Sequence, residues 1–420
     1  MPLSTPSVPV IVDGHQLSTE QCQIYYWVMK QIDNSNTDPI YTLVHGAAGT
    51  GKSLLLKAIR RGIQEKFGDD SCISTAPTAI AAQLIDSRTI HSTFVLKWGI
   101  VDVENFLNEI PDFEVRTLFG MQNAKVLLID VINFKQLKVI PNSSKLWNLF
   151  RIVELPEINY RVIDEDQQEV STDMRSGNNQ EELYNYLKEV CFICWDLDQT
   201  KEKIVEEYQL LTQVTGSENI AVLAPSNEIV DDINFSLVSS EFGAKRFPPI
   251  HSDYLENCKN WNGAQQDVWL ASGSPVVCTV NYDETIKNGS IGRVVAFFGE
   301  AIIVTFSSDT IEICRRPFKE GNRTFKQFPL RLGYAHTIER AQGATFDGII
   351  LVRNETWDPE EIKRWKEHED GYGEIYTALS RARDLRNCRI SPMRFLEFDC
   401  SPKVTKELKR MRQHSQELID

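Results

Sequence analysis

The chain has 420 residues, of which 42% are hydrophobic and 25% charged, and 45 Lys and Arg stand against 59 Asp and Glu for a formal charge of −14. That length exceeds one compact core and implies two or three domains, while the sequence contains no apolar run of spanning length and no secretory leader, so an intracellular protein is expected. The acidic balance excludes a body coated in nucleic acid, although a groove can be locally basic on an acidic surface.

In chain order, YTLVH (41–45) predicts a strand, residues 52–66 a helix, SCISTAP (71–77) a second strand and KVLLID (125–130) a third. β-Branched runs parted by helices predict an α/β fold with a parallel sheet and crossovers. After Phe150 an acidic helical stretch leads to a strand in NIAVLAPS (219–226) and a helix from Ile229 to Leu237. From residue 272 the texture changes: SPVVCTV, NGSIGRVVAFF and AIIVTF are short strands divided by Gly, Asn and Asp, which predicts a small antiparallel sheet or barrel. The α/β texture returns at FPLRLGYAHTIERAQGATFDGIILV, making the β-rich piece an insertion in a second α/β domain. KVTKELKRMRQHSQELID at the end predicts a solvated helix. The nine cysteines follow no repeating spacing and read as reduced thiols; Cys191 and Cys194 in CFIC sit in apolar surroundings and read as core in preference to zinc, which needs four ligands.

Residues 46–53, GAAGTGKS, match the phosphate-loop pattern between a strand and a helix, the context that motif requires. Gly46, Gly49 and Gly51 let the backbone around Ala47, Ala48 and Thr50 curl about phosphate oxygens, and the helix that opens through Leu54 adds its N-terminal partial charge. Lys52 then reaches the β- and γ-phosphates, and the Ser53 hydroxyl is a ligand for Mg²⁺. A carboxylate at the tip of a neighbouring strand completes such a site, and Asp130 ends the apolar run 126–129. ATP and Mg²⁺ are the expected cofactors.

Several segments, in order, resemble the Pif1/RecD-like branch of superfamily 1 DNA helicases. LSTEQ (17–21) resembles its adenine-reading entry motif, with Gln21 in the glutamine slot. STAPTAIAAQLI and RTIHSTF (74–94) resemble its single-strand-binding motif, including Thr78, His91 and Ser92. VELPEINYRV (153–162) is similar to the segment carrying a γ-phosphate arginine, which falls on Arg161. AVLAPSNEIVDDIN, KNGSIGRV, PLRLGYAHTIERAQGATFD and GEIYTALSRARD follow the family's second half and place Gln342, Gly343 and Arg381 at the nucleotide, with Thr337 and Arg340 toward DNA. Taken alone, Arg381 reads equally well as a helix cap or a partner of Asp384, and His91 as a loop histidine. The resemblance covers most of residues 15–392 and implies two RecA-like P-loop domains with a small SH3-like insertion. It divides the chain into residues 1–150, a second domain of 151–236 with 329–395, the insertion at 237–328 and a helical tail at 396–420. By the same likeness the protein moves 5′ to 3′ on single-stranded DNA. The scattered cysteines favour the nucleus or cytoplasm as its compartment, the family likeness leaves the mitochondrion open, no membrane partner is expected, and the sequence sets no oligomeric state.

The pattern breaks after Asp130. The family writes Asp-Glu at that strand tip and, well downstream, Gly-Asp-x-x-Gln-Leu; here Asp130 runs directly into VINFKQLKVIP, with Gln136 and Leu137 in the later register. A parallel crossover needs a dozen or more residues, so five intervening residues cannot make one. The sheet is expected to lack a strand and its covering helix, leaving apolar surface uncovered, and the site to lack the glutamate that activates water. Three readings follow: a helicase impaired in hydrolysis, a non-hydrolysing nucleotide- or DNA-binding relative, or a product from which an internal block has been skipped. A smaller departure puts Glu339 in TIERAQG where the family has histidine.

Overall fold

The computed structural model describes residues 8–33, 41–94, 121–130, 149–155, 169–170, 173–174, 179–191, 200–251, 265, 267–283, 285–286, 288–306, 309–320, 323–352, 373–391 and 402–417. Packing divides the chain into two units, one of Met1–Asn185, Asp358–Ser380 and Arg394–Asp420, the other of Tyr186–Trp357 and Arg381–Met393. Among the described residues no helix is long and apolar enough to cross a membrane.

In the first unit α1 (Thr19–Asp33) precedes β1 (Thr42–His45), and the phosphate loop then feeds α2 (Lys52–Phe67). Leu55, Ala58, Ile59, Gly62 and Ile63 recur at helical spacing and form the buried stripe of α2. α1 packs on this stripe so closely that a Cβ on Gly62 would fall 2.4 Å from the Tyr25 hydroxyl. Next come β2 (Cys72–Ala76), α3 (Ala79–Leu84), β3 (Arg88–Thr89), β4 (Val126–Ile129) and β5 (Arg151–Glu154).

All pairings in this unit's core are parallel, as the alternation of strands and helices requires, but the sheet is in two pieces. β3, β2 and β4 form one, with Cys72 opposite Val126; β1 and β5 form the other, with Thr42 opposite Arg151. Among the described residues no ladder joins β4 to β1. One hydrophobic cluster nevertheless contains Val44 and Val153 from one piece and Cys72, Val126 and Leu128 from the other, gathered on α2. The opposite face of β4 is bare: Leu127 is 48% exposed and Ile129 38%. Residues 131–148, which follow the abrupt Asp130–Val131 junction, lie outside the described residues.

The second unit runs through α4 (Thr200–Thr215), β6 (Ile220–Ala224) and α5 (Asn227–Ser240), the last capped by Ser226, whose hydroxyl accepts from Ile229 N. An antiparallel sheet of β7 (Pro275–Cys278), β8 (Ile291–Phe298), β9 (Ala301–Phe306) and β10 (Asp309–Cys314) follows, closed on the β7 side by β11 (Leu330–Leu332). Two residues later the chain enters β12 (Ala335–Thr337), which joins β6, β13 (Gly348–Val352) and β14 (Cys388–Ser391) in a parallel sheet ordered β12–β6–β13–β14. β6 and β13 are buried along their whole length, the pattern of strands covered on both faces. A single hydrophobic cluster runs through both sheets, from Val222 and Ile350 to Val276 and Ile302, so the β-rich insertion shares the core of the α/β sheet that carries it.

Two further helices return to the first unit, α6 (Glu374–Leu379), buried from Ile375 to Leu379, and α7 (Pro402–Glu417). α7 corrects the expectation of a solvated tail: Leu408 and Met411, one turn apart, are buried against Ile152 of β5, with Leu43 and Phe150 around them. Arg412 fixes the register by donating to both oxygens of Glu154 at 3.0 and 2.7 Å. A helix with so few apolar residues reads as solvated until the matching patch is known. Cys191 also lies in a core, its thiol donating to Leu385 O at 3.2 Å and pushed up to about 12 by burial; Cys194 lies outside the described residues.

Candidate active site

The phosphate loop leaves β1 at buried His45 and enters α2 at Lys52. Gly51 has φ +78°, in the left-handed region where a Cβ is disfavoured, and a Cβ there would lie 2.3 Å from Gln21 Nε2. Gly46 is close-packed for a different reason: a Cβ would stand 2.7 Å from Thr50 Oγ1. The loop is tied internally, Thr50 Oγ1 donating to Ala47 O at 3.0 Å and Lys52 Nζ donating to Gly46 O at 3.0 Å and Ala47 O at 2.6 Å. Leu54 packs at the edge of the cluster under α2.

Gln21 is built into this loop. Ser18 and Gln21 form a reciprocal capping box on α1, Gln21 N donating to Ser18 Oγ at 3.2 Å and Ser18 N to Gln21 Oε1 at 2.9 Å. The buried amide then reaches across to donate from Nε2 to Thr50 O at 3.0 Å. Its oxygen holds the helix start and its nitrogen holds the loop.

Ser53 Oγ donates to Asp130 Oδ2 at 2.6 Å, and Asp130 is held at the end of β4 by its own N–H on Thr75 O at 2.9 Å. A hydroxyl and a carboxylate in direct contact at a helix N-terminus are a hard oxygen donor pair, suited to a small divalent cation that keeps phosphate and water as its other ligands. Among the described residues no group of three or more acidic, histidine or cysteine side chains makes a protein-only metal cage.

One partner of the loop has no motif of its own in the sequence. Ala48 N donates to the hydroxyl of Tyr376 at 3.1 Å, both residues being buried. Tyr376 lies on α6, five positions before Arg381 along the chain.

Thr78, His91 and Ser92 sit past the C-terminal ends of β2 and β3 in the first unit. Thr78 caps α3, its hydroxyl accepting from Ala81 N at 3.2 Å; His91 is half-buried and Ser92 exposed in the turn Ile90–Thr93, where Ser92 N donates to Thr89 Oγ1 at 3.3 Å. In the second unit Thr337 ends β12 and its hydroxyl accepts from Arg340 N at 3.4 Å. Gln342 is buried, and Gly343 takes φ +92° in the turn that follows. Arg381 is buried, its carbonyl accepting from Phe346 N at 2.9 Å; Asp384, the alternative partner considered for it, is clasped by Arg386 at 2.7–3.1 Å. Gln136 and Arg161 lie outside the described residues.

Known proteins resemble this chain in sequence and in fold. A family profile described as PIF1-like helicase matches residues 16–140. The ATP-dependent DNA helicase Pif1 of Bdellovibrio bacteriovorus is 24% identical over 413 aligned residues, which cover 86% of each protein. The PIF1 helicase of Emericella nidulans is 24% identical over 73% of this chain, but the match spans only 45% of that longer relative. The crystal structure of a Pif1 helicase from Bacteroides in complex with ADP-AlF3 and single-stranded DNA superposes with a TM-score of 0.68 at 20% identity, covering 93% of this chain and 97% of that one. The fold is thus that of two RecA-like α/β units with parallel sheets and a β-rich insertion in the second. The phosphate-loop region of the chain thus matches the PIF1-like helicase profile, and most of its length is similar to Pif1 helicases in sequence and in fold.

Proposed function

We propose that the protein is an ATP-dependent DNA helicase of the Pif1/RecD-like type that translocates 5′ to 3′ on single-stranded DNA, with hydrolysis impaired in this chain. The observation that carries the reading is the contact of Ser53 with Asp130 at 2.6 Å beside Lys52 on an intact phosphate loop. In this reading Lys52 leaves the loop carbonyls for the β- and γ-phosphates, Ser53 and Asp130 hold Mg²⁺ between them, and Arg161 and Arg381 neutralise charge developing on the transferred phosphoryl group. Gln342 and Gly343 belong to the nucleotide side of the second unit; Thr78, His91, Ser92, Thr337 and Arg340 face the DNA strand. The Pif1 helicases named above supply the activity, and the protein is placed inside the cell, where DNA is.

The impairment follows from chemistry. Asp130 is succeeded by Val131, so the position next to the metal-binding carboxylate offers no base for the attacking water. A positioned general base contributes typically ~10²–10⁴ in rate. Gln136 is the residue of the shortened segment assigned to the site. The bare Leu127 and Ile129 on β4 favour a second reading in which an internal block, beginning with Glu, follows Asp130 in the active product.

The test is a parallel measurement of ATP binding, DNA-stimulated ATP turnover and unwinding of a 5′-tailed duplex. Binding of Mg²⁺-ATP and of single-stranded DNA with turnover far below that of ordinary helicases is expected. Failure to bind nucleotide refutes the function; turnover at an ordinary helicase rate refutes the impairment. Sequencing the native transcript across codons 130 and 131 decides the second reading, because an inserted block there restores the base.

A further inference from the structure

Both ends of the Gln21 amide are engaged within the protein. Oε1 accepts from Ser18 N at 2.9 Å, Nε2 donates to Thr50 O at 3.0 Å, and the side chains of Gln21 and Thr50 are both buried. The amide nitrogen also packs on Gly51, so closely that a Cβ there would stand 2.3 Å from it. Gln21 thus touches the last two residues of the phosphate loop before Lys52.

A glutamine amide tells adenine from the other bases by using its two ends together, the oxygen accepting from the exocyclic amine and the nitrogen donating to the neighbouring ring nitrogen. Guanine offers an acceptor where adenine offers the amine, so the discrimination needs both ends uncovered on one edge. In this chain the oxygen is committed to the first turn of α1 and the nitrogen to the loop, in a place closed to water. To pair with a base the amide would have to release Thr50 O, leaving a buried carbonyl unsatisfied.

What the contact does follows from the planarity of the peptide. In a trans peptide the C=O and the N–H of the next residue point to opposite sides. Holding Thr50 O toward α1 therefore turns the Gly51 N–H the other way. It also keeps a carbonyl, which repels phosphate oxygens, out of the concavity that the N–H groups of such a loop build. Gly51, at φ +78°, carries the chain from this fixed peptide into α2.

We propose that Gln21 is a positioning residue for the triphosphate and not a reader of the base: it acts through the Thr50–Gly51 peptide, and every nucleoside triphosphate benefits from it alike. This rests on the nucleotide binding proposed above and concerns how that site selects its substrate. It departs from the role that the likeness of LSTEQ implies, because the same amide is built into the loop.

The experiment is isothermal titration calorimetry of ATP, GTP, CTP and UTP with Mg²⁺, on the full chain and its Gln21→Met, Gln21→Ala and Ser18→Ala forms, each also melted. Gln21→Met keeps the length of the side chain and removes both amide hydrogen bonds, which guards against a fold lost through an emptied space. Both Gln21 forms are expected to bind all four nucleotides roughly five- to tenfold more weakly, the equivalent of about one hydrogen bond, with the ratio between any two unchanged. Ser18→Ala removes the hydroxyl that accepts from Gln21 N but leaves the amide on Thr50 O. It is expected to melt lower, as a lost helix cap does, and to keep all four affinities, which separates the aiming of the loop from the support of α1. A loss confined to ATP in Gln21→Met, or affinities that do not change, overturns the inference. Equal losses of affinity in Ser18→Ala and Gln21→Met overturn it as well, since the residue would then act through the cap alone. Failure of the unsubstituted chain to bind any of the four overturns instead the function on which the inference rests.

Discussion

Replacing Gly51 by Ala tests how the loop is built. Gly51 holds φ +78° at the start of α2, and an L-residue there costs about 1–2 kcal/mol. Its Cβ would also lie 2.3 Å from Gln21 Nε2, closer than any real contact, so the amide must swing away. That breaks the 3.0 Å hydrogen bond to Thr50 O and loosens the reciprocal cap on Ser18, leaving a buried acceptor unsatisfied at a further cost of about 1–3 kcal/mol. The sum, about 2–5 kcal/mol, is a large share of the ~5–15 kcal/mol by which a domain is normally stable. Gly14 provides the reference, for it has the same φ of +78° and nothing within 4 Å of its missing Cβ. Urea unfolding followed by tryptophan fluorescence, with titration of a fluorescent ATP analogue, is the assay. Gly14→Ala should show the strain cost alone, Gly51→Ala the strain plus the displaced amide and a weakened nucleotide site. Adding Gln21→Ala to Gly51→Ala should make the two costs less than additive, since the collision has gone. Equal losses in Gly14→Ala and Gly51→Ala, with nucleotide binding intact, would refute the reasoning.

Other substitutions address other contacts. Tyr376→Phe leaves Ala48 N without its acceptor and should lower the melting temperature of nucleotide-free protein; the deficit should shrink with saturating ATP, where a phosphate oxygen takes the amide, and a deficit indifferent to ATP refutes this. His336 is held at about 3 in the folded chain against an ordinary 6.5, by burial first and then by Arg331 and Arg340, so the unfolded chain binds its proton first. Stability is therefore fully present above pH 6.5 and lost as the pH falls toward 3, with a slope approaching ~1.4 kcal/mol per pH unit. His336→Phe should flatten that part of the stability profile measured by urea titration, and an unaltered profile counts against a neutral buried imidazole. Leu127→Lys with Ile129→Lys should cut concentration-dependent light scattering while leaving ATP binding in place, because both side chains lie on the bare face of β4. Persistent scattering would locate self-association elsewhere.

What was legible in the sequence was what is local. GAAGTGKS carries its own geometry, since glycine at Gly51 and the strand and helix on either side leave few other conformations. The order of strand and helix around the loop was legible too, because apolar runs parted by a helix leave a parallel pairing as the short route for the chain. Contacts that depend on distant partners were not. The Ser18–Gln21 capping box has a sequence signature that was available in LSTEQ, but nothing in it says that the same amide reaches Thr50. Tyr376 is 328 positions from the amide it accepts from, and the buried apolar side chains of α7, Leu408 and Met411, take their meaning from Ile152 far upstream.

The docking of α7 on β5 has a consequence for biosynthesis. The unit that holds the phosphate loop is closed by residues made hundreds of codons later: Leu408 and Met411 cover Ile152, and Arg412 pairs with Glu154. While the second unit is being synthesised, the outer strand of the first remains uncovered, with Ile152 and its neighbours open to chaperones and to wrong partners. A premature stop before Pro402 would thus strike the unit that holds the phosphate loop long after the loop itself has been made, through the strand on which α7 closes.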